Sequence, residues 1–412
     1  MRIYFPQYYT QKSRFLSYTV IAETLKDKGH DVSDVRHNAD IAIFSMCDVT
    51  EYPQLIKMRA ETEGIPLIVG GAFAFNFLSA KIYADAVWIG ECFDFADCQS
   101  YEDIVQSKYS YVGGSDLPVA SQRIEWEKVS VAQIAPKKCY YWGGVGCKNK
   151  CAFCFTSWTH RHQVNSKQRI EAAKRVATKN KCHIMISSNE YDNDISAKTF
   201  DMMLKDYVKT PIKGSKMIRC GIEFPNETTR KAVGKPITDQ EIYEAFQKSK
   251  LENGSLRLFH IAGYNPIDDW EEYIAKVSMM LRKVNPPRMI HFMFNNLQYQ
   301  NFTPLYRERR NINPANYISV KTTRRWYDEL RRSCSHVLVG APSPFQHVAC
   351  RMGIELARDK RALDFWCKML SNPKKMTLRS AHKALIDSKT LECPAYQVRL
   401  SDGQIIRQEN WD

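Results

Sequence analysis

Three cysteines within eight residues, Cys147-Lys-Asn-Lys-Cys151-Ala-Phe-Cys154, constrain this chain more than any other feature. Their thiolates can serve one metal centre only if the backbone curls around it, and Trp142-Gly-Gly-Val-Gly146 just upstream supplies the turn freedom. Three ligands rather than four leave a coordination position open, which a catalytic centre needs and a structural one lacks. Zinc with a distant fourth ligand, Cys139 or His160, is the competing reading. Against it, C-x3-C-x2-C is not a usual zinc spacing, and no second C-x2-C or H-x3-5-H pair follows.

The surroundings of the triplet read as alternating strands and helices. Short apolar runs at Arg2–Phe5, Ile41–Phe44, Pro66–Val69 and Ala86–Ile89 are separated by helical patterns over Tyr18–Lys28 and Gln54–Glu63. That alternation predicts βαβ units and a doubly wound parallel sheet. A second α/β run follows, with strands at His183–Ser187, Met217–Ile222, Leu256–Ile261 and Met289–Phe294 and helices such as Asp239–Lys250 and Trp270–Val284. Helix-like basic segments close the chain at Lys321–Arg332, Gly353–Leu370 and Thr377–Ser388. The expected fold class is α/β: a Rossmann-like sheet over 1–115, a connector over 116–136, a second α/β unit over 137–310 and a basic, mainly helical region over 311–412. Its 412 residues suit two to three domains at about 150 residues each.

From the cysteines outward the sequence resembles the radical S-adenosylmethionine (radical SAM) superfamily, with Phe153 as the aromatic before the last cysteine. The resemblance implies a partial (β/α)6 barrel whose Cys147, Cys151 and Cys154 hold a 4Fe–4S cluster. The open iron then chelates S-adenosylmethionine, and one electron from a donor partner yields a 5′-deoxyadenosyl radical. Phe153 would pack near the adenine. Gly221-Ile-Glu223-Phe-Pro with Arg230–Lys235 is similar to the family's "GIE" strand, and Leu258–Tyr264 with Asp269 and Glu271 to its later glycine motif. These motifs make Phe153, Glu223 and Gly263 the implied cofactor-binding residues. Asn301–Leu305 resembles the barrel-closing segment. Where the usual Gly-Gly-Glu is expected, Ser187-Ser188-Asn189-Glu190 stands instead.

Ala39–Met46, Pro66–Gly71 and Ala84–Glu91 are similar to the cobalamin-binding domains that precede some radical SAM barrels, which raises cobalamin as a third cofactor. The D-x-H-x-x-G segment that supplies a lower cobalt ligand is missing: Pro6–Ser13 contains neither Asp nor His. Methylthiotransferases share the layout, and Ser45-Met-Cys47 resembles one of their cysteine sites. Two further N-domain cysteines would be needed, but the first-strand loop has none and Gly70-Gly71 stands where another belongs.

Lys+Arg of 59 against Asp+Glu of 45 gives a net charge of +14, which favours a polyanionic partner. Lys321-Thr-Thr-Arg324-Arg325-Trp326-Tyr327 interleaves cations with rings, as nucleic-acid contacts do; an amphipathic helix burying Trp326 fits the same letters. His160 and His162 with Arg161 could meet a phosphate or form an exposed loop.

The leading expectation is a radical SAM enzyme that modifies or isomerises a nucleic-acid base, DNA rather than RNA. The resemblance extends to phage enzymes that isomerise amino-acid-modified thymidines and so evade host restriction. Two alternatives stand beside it: a cobalamin-dependent radical SAM methyltransferase acting on a small molecule or peptide, and a non-catalytic, metal-stapled nucleic-acid-binding protein. No apolar run reaches the roughly 18–20 residues of a membrane span, so no membrane partner is expected. The expected place is the cytoplasm, the host's if the chain is viral.

Overall fold

The structure, a computed structural model, describes residues 1–7, 14–114, 118–187, 199–212, 217–264, 269–387, 397–400 and 405–407. The loop after the first strand, from residue 8 to 13, and the Ser188–Glu190 departure lie outside the described residues.

The N-terminal sheet comprises β1 (Arg2–Tyr4), β2 (Asp31–Ser33), β3 (Ile41–Ser45), β4 (Leu67–Gly70), β5 (Ala86–Trp88) and β6 (Ser110–Tyr111). Its order is β2-β1-β3-β4-β5-β6, parallel throughout except for the antiparallel β5–β6 pair. Every residue of β3 is buried, as the apolar run Ile-Ala-Ile-Phe requires of a strand covered on both faces. Strand order reverses between β1 and β3, and a crevice opens beyond the carboxyl ends of such strands.

Short strands β7 (Val119–Ala120), β8 (Ala132–Ala135), β9 (Lys138–Trp142), β10 (Gly144–Val145) and β11 (Gln163–Val164) lead into the cysteine region. Strand β12 (His183–Ser187) pairs in parallel with β9. The main barrel sheet runs β13 (Thr199–Asp201), β14 (Met217–Glu223), β15 (Ser255–Ala262), β16 (Ile290–Asn296) and β17 (Val337–Gly340), all parallel. Strands β18 (Gln397–Leu400) and β19 (Ile405–Arg407) form a hairpin whose first strand joins β7.

Two expectations need correction. The barrel sheet takes its last strand from beyond residue 310, because Val337 and its neighbours register against Ile290–Met293. The single helical segment expected over Gly353–Leu370 is two helices, Phe345–Leu356 and Lys360–Ser371. Asp359 starts the second by accepting a hydrogen bond from Ala362 N at 2.8 Å, the preferred work of an N-terminal capping residue.

The parts share a core. One apolar cluster runs from Phe44 and Val69 in the first sheet, through Phe302 and Tyr306, to Phe345 and Trp366 in the C-terminal helices. Polar ties cross the same boundary: Ser79 Oγ donates to Ile354 O at 2.7 Å, and Arg351 pairs with Asp48 at 2.5 Å. The barrel sheet packs its other apolar face, Leu256 and Phe292 among it, against Tyr273 and Trp326.

Candidate functional site

Cys147, Cys151 and Cys154 lie between β10 and the short helix Thr156–Thr159. The loop is held at its centre from two sides. Ala152 N donates to Val233 O at 2.8 Å, and Ala152 O accepts from Leu305 N at 2.9 Å. Trp158 Nε1 donates to Cys151 O at 2.9 Å. Gly146, at φ +68°, lets the entering chain cross Arg161, whose carbonyl oxygen a Cβ would overlap. Cys151 is buried, while Cys147 and Cys154 are half-buried. Burial pushes the Cys151 thiol up to about 11; the Lys235 ammonium pulls the other way, and Cys154, Glu223 and Cys147 push it further up.

This donor set fits an iron–sulfur cluster better than zinc. Both fourth ligands that zinc would require are engaged elsewhere. Burial and a hydrogen bond with Cys182 push the Cys139 thiol up to about 12, and His160 faces Glu91 across a separate cleft.

Beside the loop, Glu223 closes β14 at φ +74°, where the register with β15 shifts. Its carboxylate accepts from Lys235 Nζ at 2.7 Å, and both residues are buried. Gly221 makes the room: a Cβ there would overlap Glu223 Oε1 and stand 2.6 Å from Lys235 Nζ. The Phe153 ring packs edge-on against Phe224 at 5.8 Å, and Phe224 against Tyr264 at 5.5 Å. Gly263 has φ +101°, and the Tyr317 ring lies so close that a Cβ would come 2.9 Å from it. The Tyr317 ring therefore packs directly on Gly263.

A cavity of about 280 Å³ lies where the first sheet meets β9, β10 and His160. Ser45, Gly70, Gly71 and Gly90 line it from the strand ends, Leu16 and Val20 from the first helix, and Trp142, Val145 and His160 from the barrel side. The lining is chiefly apolar, and its glycines present bare backbone, a surface suited to the edge of a large planar ligand. Its polar floor is Glu91 and His160, with Oε1 and Nε2 4.0 Å apart. Thr159 Oγ1 donates its proton to Phe155 O at 3.0 Å, so it accepts from His160 Nδ1 at 2.8 Å and leaves Nε2 as the bare acceptor. Burial lowers the His160 value to about 4 and raises that of Glu91 to about 8. Burial thus favours the neutral form of both groups, so their contact is not built as an ion pair.

Glu91 gives a pH prediction. Its carboxyl titrates near 4.5 when unfolded and near 8 when folded, so between those values the folded state holds a proton the unfolded state has lost. Stability therefore falls as pH rises through that window. Glu91→Gln is expected to stabilise the protein at pH 8 by at least about 1.4 kcal/mol, and to change little at pH 5. Urea unfolding at both pH values checks this; equal effects at the two would mean that Glu91 is ionised throughout.

Other expected residues fall outside the site. Trp326 is buried, stacks on Trp270 at 5.9 Å and donates Nε1–H to Glu271 at 2.9 Å, so it offers no platform to a base. Arg161 and His162 are exposed. Cys47 lies at the cavity wall, its backbone N–H held by Glu51 at 2.6 Å. Sequence reasoning missed Lys235 as a partner of Glu223 and Glu91 as a partner of His160. The only local signals were the glycines before each, Gly234 and Gly90.

No protein-family model and no curated protein matches the sequence. Solved structures do share the fold. The radical S-adenosylmethionine methyltransferase TsrM from Kitasatospora setae, with cobalamin and a [4Fe-4S] cluster bound, aligns at TM-score 0.57 and 10% identity over 93% of this chain and 99% of that one. The cobalamin-dependent S-adenosylmethionine radical enzyme OxsB, with aqua-cobalamin and S-adenosylmethionine bound, aligns at TM-score 0.50 and 13% identity over 69% of this chain and 52% of that one. At such identities the likeness is one of fold: a Rossmann-like sheet, a radical SAM-type barrel and a helical C-terminal region in one chain.

Proposed function

We propose that this chain is a radical SAM enzyme of the cobalamin-dependent, methyl-transferring kind, acting on a small molecule or peptide. The observation that carries the reading is the cavity lined by the carboxyl edge of the parallel sheet on one side and, on the other, by Trp142, Val145 and His160, which flank the loop of Cys147, Cys151 and Cys154. When bound, the cluster supplies the electron that cleaves S-adenosylmethionine, and a corrinoid supplies a methyl carrier. The chain's own residues do the rest. Cys147, Cys151 and Cys154 hold the cluster, and Phe153, Phe224 and Tyr264 form an apolar wall that excludes water beside it. Gly70, Gly71 and Gly90 leave the cavity open to a flat ring system, and His160 Nε2 presents a lone pair there.

The test is anaerobic reconstitution with iron, sulfide and hydroxocobalamin, followed by gel filtration. About one equivalent of corrin absorbance should travel with the protein, and S-adenosylhomocysteine should form once an acceptor is supplied. An intact cluster with no retained corrin would sink the methyltransferase reading.

A nucleic-acid substrate is the second reading, and one observation favours it. Lys321, Arg324, Arg325, Arg331 and Arg332 are exposed on the helix Val320–Ser333. If that face meets phosphates, duplex DNA should bind with an affinity that falls steeply with salt, and DNA carrying amino-acid-modified thymidine should stimulate 5′-deoxyadenosine formation. Salt-independent or absent DNA binding would remove this reading.

A further inference from the structure

We infer that Lys235 and Glu223 form a charge pair that sets the reduction potential of the cluster, Lys235 raising it and Glu223 opposing it. The inference rests on the proposed cluster at Cys147, Cys151 and Cys154.

The pair is built at visible cost. Lys235 and Glu223 are 8% and 7% exposed, and a buried ion pair contributes little stability once its desolvation is counted. Glu223 adopts a left-handed backbone that a non-glycine residue avoids, and the strand breaks register to allow it. Position 221 must be glycine for the two heads to meet at 2.7 Å. Strain of this kind persists where the surroundings impose it, and it gathers at functional sites.

The pair also lies against the cysteine loop. Gly234 accepts the Cys151 thiol at 3.7 Å, and a Cβ on it would come 2.8 Å from Lys150 O. Only glycine lets the chain carrying Lys235 settle on that loop. The loop is joined there a second time by the Ala152 N to Val233 O bond at 2.8 Å. A buried ammonium beside the thiolates favours the more negative, reduced cluster, and a buried carboxylate favours the oxidised one. In a poorly solvated site neither effect is screened away.

The two charges therefore predict shifts of opposite sign. The full-length chain, reconstituted anaerobically without S-adenosylmethionine, is titrated with dithionite while the reduced cluster is followed by electron paramagnetic resonance. Iron and sulfide are first counted in the wild type and in Lys235→Met, Lys235→Arg and Glu223→Gln. Glu223→Gln leaves the ammonium unopposed and should raise the reduced-to-oxidised ratio at a fixed potential about tenfold, which is about 59 mV for one electron. Lys235→Met leaves the carboxylate unopposed and should lower the ratio several-fold. Lys235→Arg keeps the charge and should stay within about threefold of wild type.

Shifts of the same sign in Lys235→Met and Glu223→Gln, or unchanged potentials in both, would overturn the inference. Unchanged potentials with weakened S-adenosylmethionine binding would overturn it as well, and would give the pair to the cosubstrate. Should Lys235→Met lose its iron, Glu223→Gln and Lys235→Arg still decide the matter. A wild-type chain that forms no four-iron cluster would instead sink the proposed function.

Discussion

Replacing Cys147, Cys151 and Cys154 with alanine together is expected to take bound iron from about four per chain to background and to abolish 5′-deoxyadenosine formation. The fold should survive, because the loop's attachments do not run through sulfur. Ala152 is bonded through its backbone on both sides, and Trp158 anchors on the Cys151 carbonyl, which alanine retains. Single replacements should be nearly as damaging as the triple one, since a cluster short of a protein ligand is readily lost. Cys139→Ala and Cys182→Ala supply the control: both thiols are free, Cys139 on β9 and Cys182 bonded to Asn180 O at 3.4 Å, so iron should stay at the wild-type level. Iron and sulfide assays on anaerobically reconstituted proteins check both halves. Zinc in the wild type with no cluster after reconstitution would contradict the assignment, as would iron retained in the triple variant.

How much of this could be read from the letters depends on how local each feature is. The cysteine triplet and the strands β3, β4, β14, β15 and β16 are short apolar runs bounded by turn residues, and such runs announce themselves. Strand β17 did not, because Val337–Gly340 is brief and acquires its identity only by pairing with β16. The interleaving of Arg324, Arg325, Trp326 and Tyr327 was ambiguous for a physical reason. A base-stacking platform and an amphipathic helix need the same residues, and only Trp270 and Phe294, packed against the Trp326 ring, decide between them. Glu223 was legible as a residue at a strand end, but its partner was not. Lys235 reaches it only because Gly221 is bare and the intervening chain folds back, neither of which a spacing reveals. His160 follows the helix Thr156–Thr159 and Glu91 follows β5, far apart in sequence, so nothing local joins them.

The largest stability effect should come from Arg230, which touches no proposed cofactor. Its side chain is wholly buried, yet every nitrogen is used. Nε donates to Ile237 O at 2.6 Å, Nη1 to Phe224 O at 2.9 Å and Pro225 O at 2.8 Å, and Nη2 to Asp239 Oδ1 at 2.5 Å. Asp239 takes a second cation, Lys276, on its other oxygen at 2.5 Å. One guanidinium thus ties the start of the 224–239 segment to its end, and that segment carries Lys235 and the Val233 carbonyl that holds Ala152. Arg230→Met fills much of the volume but strands three carbonyls and half of a carboxylate away from water. Breaking a buried pair from one side in this way should cost about 3–5 kcal/mol. Lysine should rescue only part of it, because a single ammonium cannot span the fork. Urea unfolding of the apoprotein measures the cost, and the reconstituted variant should shed iron on gel filtration faster than the wild type, since the support of the cysteine loop has loosened. A loss below about 1 kcal/mol with iron fully retained would mean that the segment keeps its shape without the clamp, and that Ala152 is held by the Leu305 side alone.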